Sequence, residues 1–135
     1  MHIRVSKIRN ENSENGDLHF IEGRNDIPFD IKRIYYLSSV PSGQSRGGHA
    51  HIKLEQFFIC LAGSFSIRFR DGFADETLKL TANSEGVYVP CLIWRDLFDF
   101  SKDAVCLVLA SHEYSADDYV HEYSRFLEIK KTNKQ

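Results

Sequence analysis

Two histidines one residue apart, His49 and His51 in the stretch RGGHAHIKLEQ, are followed by Glu55 four residues later and then by the apolar run FFICLA. On an extended chain, side chains two positions apart leave the same face, so the two imidazoles project together. Such a pair suits two chemistries. With a carboxylate it can hold a divalent ion. Without metal it can carry protons near neutral pH, because the ordinary imidazole pKa lies where both forms are accessible. Its structural alternative is a pair of core histidines held by backbone carbonyls. Gly47 and Gly48, just before the pair, would let a ligand approach the backbone closely, which favours a functional role.

Cations and aromatics stand close by in the sequence. If IKRIYYL and RGGHAHIKLEQ are strands facing one cavity, then Arg33, Tyr35, Arg46, Lys53 and Gln56 are candidate substrate-binding groups, although alternation turns only some of them inward. Arg33 shares a parity with Tyr35, as His49 and His51 do with Lys53. Two guanidinium forks and an ammonium near an open end suit a diphosphate. Tyr88 and Trp94 are read as packing residues, and His112 and His121 as structural. No serine or cysteine nucleophile signature, P-loop or dinucleotide glycine pattern occurs.

The elements that must position these groups are mostly strands. Phe57 to Leu61 and Phe65 to Phe69 read as a half-buried hairpin joined by Ala62-Gly63-Ser64. TLKLTA, GVYVP, WRDLFDF and AVCLVLAS follow as short strands, and GDLHFIEG and IKRIYYLSS precede, for about eight in all. Short strands at this spacing imply an all-β antiparallel sandwich or small barrel. Helical periodicity is confined to the C-terminus. There Ser115 and Asp118 fit a capping box, and a closing α-helix is expected from about Ala116 to Lys130, with KKTNKQ frayed at its end.

A chain of 135 residues with 42% apolar and 27% charged residues fits a single domain spanning 1–135. A net charge of −2 provides no field for nucleic acid or an anionic membrane. Cys60, Cys91 and Cys106 lie in apolar stretches without metal-ligand spacing, as buried thiols of a reducing cytoplasm would. The N-terminus has no signal-peptide pattern and no apolar run is long enough to span a membrane.

The spacing of His49, His51, Glu55 and Gly63 resembles the first motif of the cupin superfamily, whose metal-binding members take a further histidine from a second motif. The matching second stretch, GVYVPCLIWRD, keeps Gly86 and Pro90 but has Arg95 where that histidine would stand. A guanidinium is always protonated and cannot ligate, so no metal and no cofactor are expected.

More of the chain resembles one cupin family, the sugar-nucleotide 3,4-ketoisomerases: DIPFDIKRIYYL at Asp26 to Leu37, RGGHAHIKLEQ at Arg46 to Gln56, IWRDLFDFS at Ile93 to Ser101, and VLASHEYSADDYVHEYSRFL at Val108 to Leu127. The resemblance implies a cupin-type jelly roll with a C-terminal helix. It also implies a metal-independent isomerase that moves the ketone of dTDP-4-keto-6-deoxyglucose from C4 to C3, in the synthesis of amino sugars for bacterial surface glycans. It implies His49 as catalytic base, His51 as its proton-transfer partner, Arg33 and Arg46 on the diphosphate, and a homodimer exchanging N-terminal strands. Arg95 points to a gluco product, while Asn15 departs from the larger arginine or tyrosine of relatives. A non-catalytic nucleotide-sugar-binding module and a metal-dependent cupin enzyme are the competing readings.

Overall fold

A computed structural model describes residues 1–82 and 85–133. Its strands are β1 (Arg4–Lys7), β2 (Arg9–Ser13), β3 (Gly16–Phe20), β4 (Arg33–Ser38), β5 (Arg46–His51), β6 (Gln56–Ala62), β7 (Ser64–Arg70), β8 (Asp75–Thr81), β9 (Glu85–Val89), β10 (Trp94–Phe98), β11 (Val105–Ala110) and β12 (Tyr119–Val120), followed by α1 (Tyr123–Thr132). Two five-stranded antiparallel sheets, ordered β1-β9-β6-β11-β4 and β12-β5-β10-β7-β8, face each other, and β2-β3 form a separate hairpin. This is the expected all-β sandwich. The strands beyond the expected eight include β1, β2 and β12. RVSK and RNENS are exposed throughout and carry no alternating apolar signal, and β12 has only two residues.

The core lies between the sheets, where Phe58 and Cys60 from β6 meet Phe65, Ile67 and Phe69 from β7. These two strands are not the expected hairpin. β6 pairs with β9 and β11, and β7 with β8 and β10, so Ala62-Gly63 carries the chain from one sheet to the other. Gly63 takes a left-handed φ of 66°, and a Cβ there would stand 2.2 Å from Ser101 Oγ. The continuous apolar run of β6 has a physical cause. Its second face, Phe57 and Ile59, is covered by Ile27 and Phe29 from the segment before β4, so neither parity is polar.

The C-terminal segment also departs from expectation. Ala116–Asp118 form a single 3-10 turn, β12 follows, and the α-helix begins only at Tyr123. Ser115 makes no side-chain cap, and the Asp118 carboxylate, which a capping box would turn back to the Ser115 N–H, is taken by backbone donors of Lys53 and Leu54. α1 buries Phe126 with Trp94, Ala50 and Val120 on the outer face of the second sheet, so Trp94 is a packing residue. Lys130 to Thr132 belong to the helix and Asn133 caps it, so the expected fraying does not reach them; residues 134–135 lie outside the described residues. Cys60 and Cys106 are buried, but Cys91 is exposed in the connection from β9 to β10. Among the described residues no helix is long and apolar enough to cross a membrane.

Candidate active site

The inward-facing positions change chemistry along the sandwich. On β4 they run Leu37, Tyr35, Arg33; on β6, Phe58 then Gln56; on β10, Leu97 then Arg95. Register aligns them, since Tyr35 and Phe58 both stand opposite Val108, and Arg33 and Gln56 opposite Ala110. Residues directly opposite in an antiparallel pair share a face. An apolar layer therefore closes one end of the interior and a polar layer lines the other.

The polar end opens into a cavity of about 480 Å³ lined by Arg33, Tyr35, Arg46, His49, Gln56 and Arg95, with Tyr119 and His121 at its side. The cavity is within the size range of small-molecule sites. Among the described residues three arginines and two histidines border it, and no carboxylate does. A neighbouring cavity of about 790 Å³ shares Arg33 and Tyr119 and is lined by His51 and Lys53. Lys53 lies beyond the end of β5 and is exposed, so strand parity no longer places it beside His49.

Arg46 reaches the His49 face through a bulge. Simple alternation puts residues 46 and 49 on opposite faces. In the register, however, His49 pairs with Arg95, Gly47 with Asp96 and Arg46 with Leu97, which leaves Gly48 as an extra residue. Gly47 and Gly48 have φ of 89° and 70°. A Cβ at Gly47 would lie 3.0 Å from the Arg95 carbonyl oxygen. The glycine pair thus serves the approach of β10 to β5, and Gly47 also lines the cavity, where ligand access was expected.

Arg95 is 1% exposed. Its Nε and Nη2 donate to the Ile93 carbonyl at 3.2 and 2.9 Å, and its Nη1 donates to Gln56 Oε1. Gln56 Nε2 in turn donates to the Tyr35 hydroxyl at 3.0 Å. Burial lowers the guanidinium to about 10, so it remains charged at neutral pH, and among the described residues no carboxylate bonds it. Burial also raises the Tyr35 hydroxyl, which stays protonated and able to donate.

The imidazoles of His49 and His51 meet edge to face at 4.8 Å between centroids. Burial, followed by the Arg95 charge, lowers His49 to about 4, while a hydrogen bond to the Gly47 backbone opposes the shift. The same two causes, in the same order, lower His51 to about 2. Both rings are neutral at pH 7 and each offers a lone pair. His51 Nδ1 lies 3.2 Å from Asp118 Oδ2, and its Nε2 is buried without a hydrogen-bond partner. Glu55, the carboxylate of the first motif, accepts from the Tyr88 hydroxyl, so Tyr88 both packs and binds. Among the described residues no three histidine, cysteine or acidic side chains gather as metal ligands.

Sequence reasoning missed Asp118, Tyr119 and His121. Tyr119 packs 4.4 Å from His51 and 4.8 Å from His49, and His121 stacks on Tyr119. A period of two in Tyr119-Val120-His121 was the available signal, hidden within a longer stretch that also fits a helix. His112 contacts Ser111 Oγ at 2.7 Å and lines the larger cavity together with His51.

The family described as FdtA: WxcM-like, C-terminal, matches residues 1–131. The chain is 38% identical over 126 residues to TDP-4-oxo-6-deoxy-alpha-D-glucose-3,4-oxoisomerase of Aneurinibacillus thermoaerophilus, covering 93% of this chain and 91% of that one. Among solved structures, it is similar to a histidine-to-asparagine mutant of the 3,4-ketoisomerase QdtA from Thermoanaerobacterium thermosaccharolyticum in complex with TDP-4-keto-6-deoxyglucose. That match has 39% identity and a TM-score of 0.93, over 98% of this chain and 96% of that one. It is also similar to WlaRA, a TDP-fucose-3,4-ketoisomerase from Campylobacter jejuni, with 32% identity and a TM-score of 0.94 over the full length of both. A match spanning residues 1–131, together with relatives at this identity over nearly the whole chain, establishes that the protein belongs to the FdtA, WxcM-like family of sugar 3,4-ketoisomerases.

Proposed function

We propose that this chain moves the ketone of TDP-4-keto-6-deoxyglucose from C4 to C3, and that His49, His51 and Arg95 divide the work. The observation that carries the assignment is Arg95, a buried guanidinium with no carboxylate, directly opposite a neutral histidine. His49 removes the proton from C3. The electron pair forms the C3–C4 double bond and charge collects on O4, where Arg95 and the Tyr35 hydroxyl stabilise it. The O3 hydroxyl proton passes to O4 through His51, C3 becomes the ketone, and a proton returns to C4. Hydrogens and electrons balance within the sugar, so no redox cofactor is required.

Arg33 and Arg46 at the mouth suit the two phosphates, and Gln56 holds Tyr35 and Arg95 in register. Lys53, in the adjoining cavity with Arg33, is assigned to the nucleotide side of the same ligand. Arg95 favours a gluco product. Residues 1–135 act as one isomerase domain, and three unpaired thiols suit a reducing cytoplasm. A homodimer is supported by exposed Ile34, Tyr36 and Leu61 on the outer side of the first sheet, and by the separate hairpin β2-β3, which is available for exchange.

Incubating the protein with TDP-4-keto-6-deoxyglucose in deuterium oxide, with a chelator, and following the sugar by NMR tests the reading. Ketone migration to C3 with deuterium arriving at the exchanging carbon is expected. A substrate that stays intact overturns the isomerase assignment, and turnover lost only with chelator overturns the metal-free mechanism.

A further inference from the structure

Asp118 closes the 3-10 turn before β12, and its carboxylate is 16% exposed. One oxygen accepts the Lys53 N–H at 2.8 Å. The other accepts the Leu54 N–H at 3.1 Å and lies 3.2 Å from His51 Nδ1. The backbone carbonyl of Asp118 also accepts the Ile52 N–H at 3.0 Å. Four consecutive residues, His51 to Leu54, are thus bound to this one aspartate.

An ionised carboxylate only accepts hydrogen bonds, so Nδ1 must be the donor. The neutral ring then has its proton on Nδ1 and its lone pair on Nε2. That Nε2 is buried and has no partner. Burying an unsatisfied acceptor is unfavourable, and a ligand hydroxyl would relieve that cost. Tyr119, packed 4.4 Å from the ring, restricts its rotation. β12 delivers both restraints, with Asp118 immediately before it and Tyr119 paired opposite His51.

We infer that Asp118 is a positioning residue for the isomerase, fixing His51 as the Nδ1–H tautomer so that Nε2 takes the O3 hydroxyl proton and returns it to O4. This role rests on the ketoisomerase reading. When Nε2 accepts the proton, the imidazolium that forms lies against the Asp118 carboxylate, which stabilises it until the proton is passed on. No bond other than O–H and N–H is made or broken in this relay.

The full chain labelled with ¹⁵N-histidine reports the tautomer directly, with the His51 signals assigned by their loss in His51→Gln. In the unsubstituted protein at pH 7, Nδ1 is expected to carry the proton and Nε2 to be unprotonated. Asp118→Asn removes the negative charge that stabilises the imidazolium, whichever amide atom faces Nδ1. Turnover should then fall about 10²-fold while KM stays within about twofold. An unsubstituted protein with the proton on Nε2 overturns the inference, as does an Asp118→Asn variant whose kcat falls less than about threefold. Should Asp118→Asn not fold, the tautomer of the unsubstituted protein decides. Turnover of the unsubstituted protein, measured alongside, tests the isomerase reading separately: turnover with the proton on Nε2 contradicts only the role of Asp118.

Discussion

Arg95 on β10 and His49 on β5 are direct cross-strand partners, so a fully buried cation and a neutral imidazole face the same space. Burying a guanidinium without a carboxylate is unfavourable, because its hydration is replaced only by the Ile93 carbonyl and Gln56. The charge also works against protonation of His49. Both effects reverse when an anion forms between them. In the proposed mechanism an enediolate would partner the guanidinium, and the proton taken by His49 would no longer lie next to an uncompensated cation.

Arg95→Met separates catalysis from stability. Removing the charge should lower kcat by roughly 10²- to 10³-fold, the usual cost of losing an oxyanion donor. The thermal midpoint should hold or rise, since an apolar side chain avoids the desolvation cost. Calorimetry alongside turnover checks this. A midpoint that falls by several degrees with kcat nearly intact would make Arg95 a structural residue.

The depressed histidines set the pH behaviour. Around His49 stand Arg95 from β10, His51 from its own strand, Tyr119 from β12 and His121 just after it. With His49 lowered to about 4, the base limb of kcat/KM should have its midpoint near 4, so activity is flat from about pH 5.5 to 8. Stability has a matching sign. Between the ordinary value of 6.5 and the folded value, the unfolded chain binds more protons, so stability is full above 6.5 and falls as pH drops toward 4. The slope is at most about 1.4 kcal/mol per pH unit for each histidine. Urea titrations between pH 4 and 7 measure it, and an activity limb centred at 6.5 would contradict the assignment.

The two glycines of the bulge should respond differently. A Cβ at Gly48 meets only Asp96 Oδ1 at 3.6 Å, so Gly48→Ala carries the left-handed strain alone, about 1–2 kcal/mol, with kcat within about threefold. At Gly47 the added Cβ presses on the Arg95 carbonyl oxygen at 3.0 Å and on Leu97, so Gly47→Ala should lower kcat by about tenfold or more. Equal effects on turnover would show that the bulge does not position Arg95.

Much of the site was readable from local pattern. Period two placed His49 with His51 and Arg33 with Tyr35, and the turn residues marked most strands of both sheets. What escaped depended on long-range pairing. The bulge that brings Arg46 to the His49 face exists only in the register of β5 against β10. β6 and β7 look like a hairpin because their connection is short, yet β6 is covered on both faces and belongs to the opposite sheet. Asp118 looked like a helix-capping residue because a capping pattern is local, whereas its partners lie 64 to 67 positions away. Cys91 sits among apolar residues in sequence but on a connection in space.

The central claim is that His49 is the base that removes the C3 proton, and exchange at C3 in a His49→Asn variant tests it most directly. With TDP-4-keto-6-deoxyglucose in deuterium oxide, the variant should bind TDP within about threefold of the unsubstituted protein, because the arginines are untouched, yet incorporate deuterium at C3 at least about 10²-fold more slowly. Deuterium entering C3 at the unsubstituted rate would contradict the account.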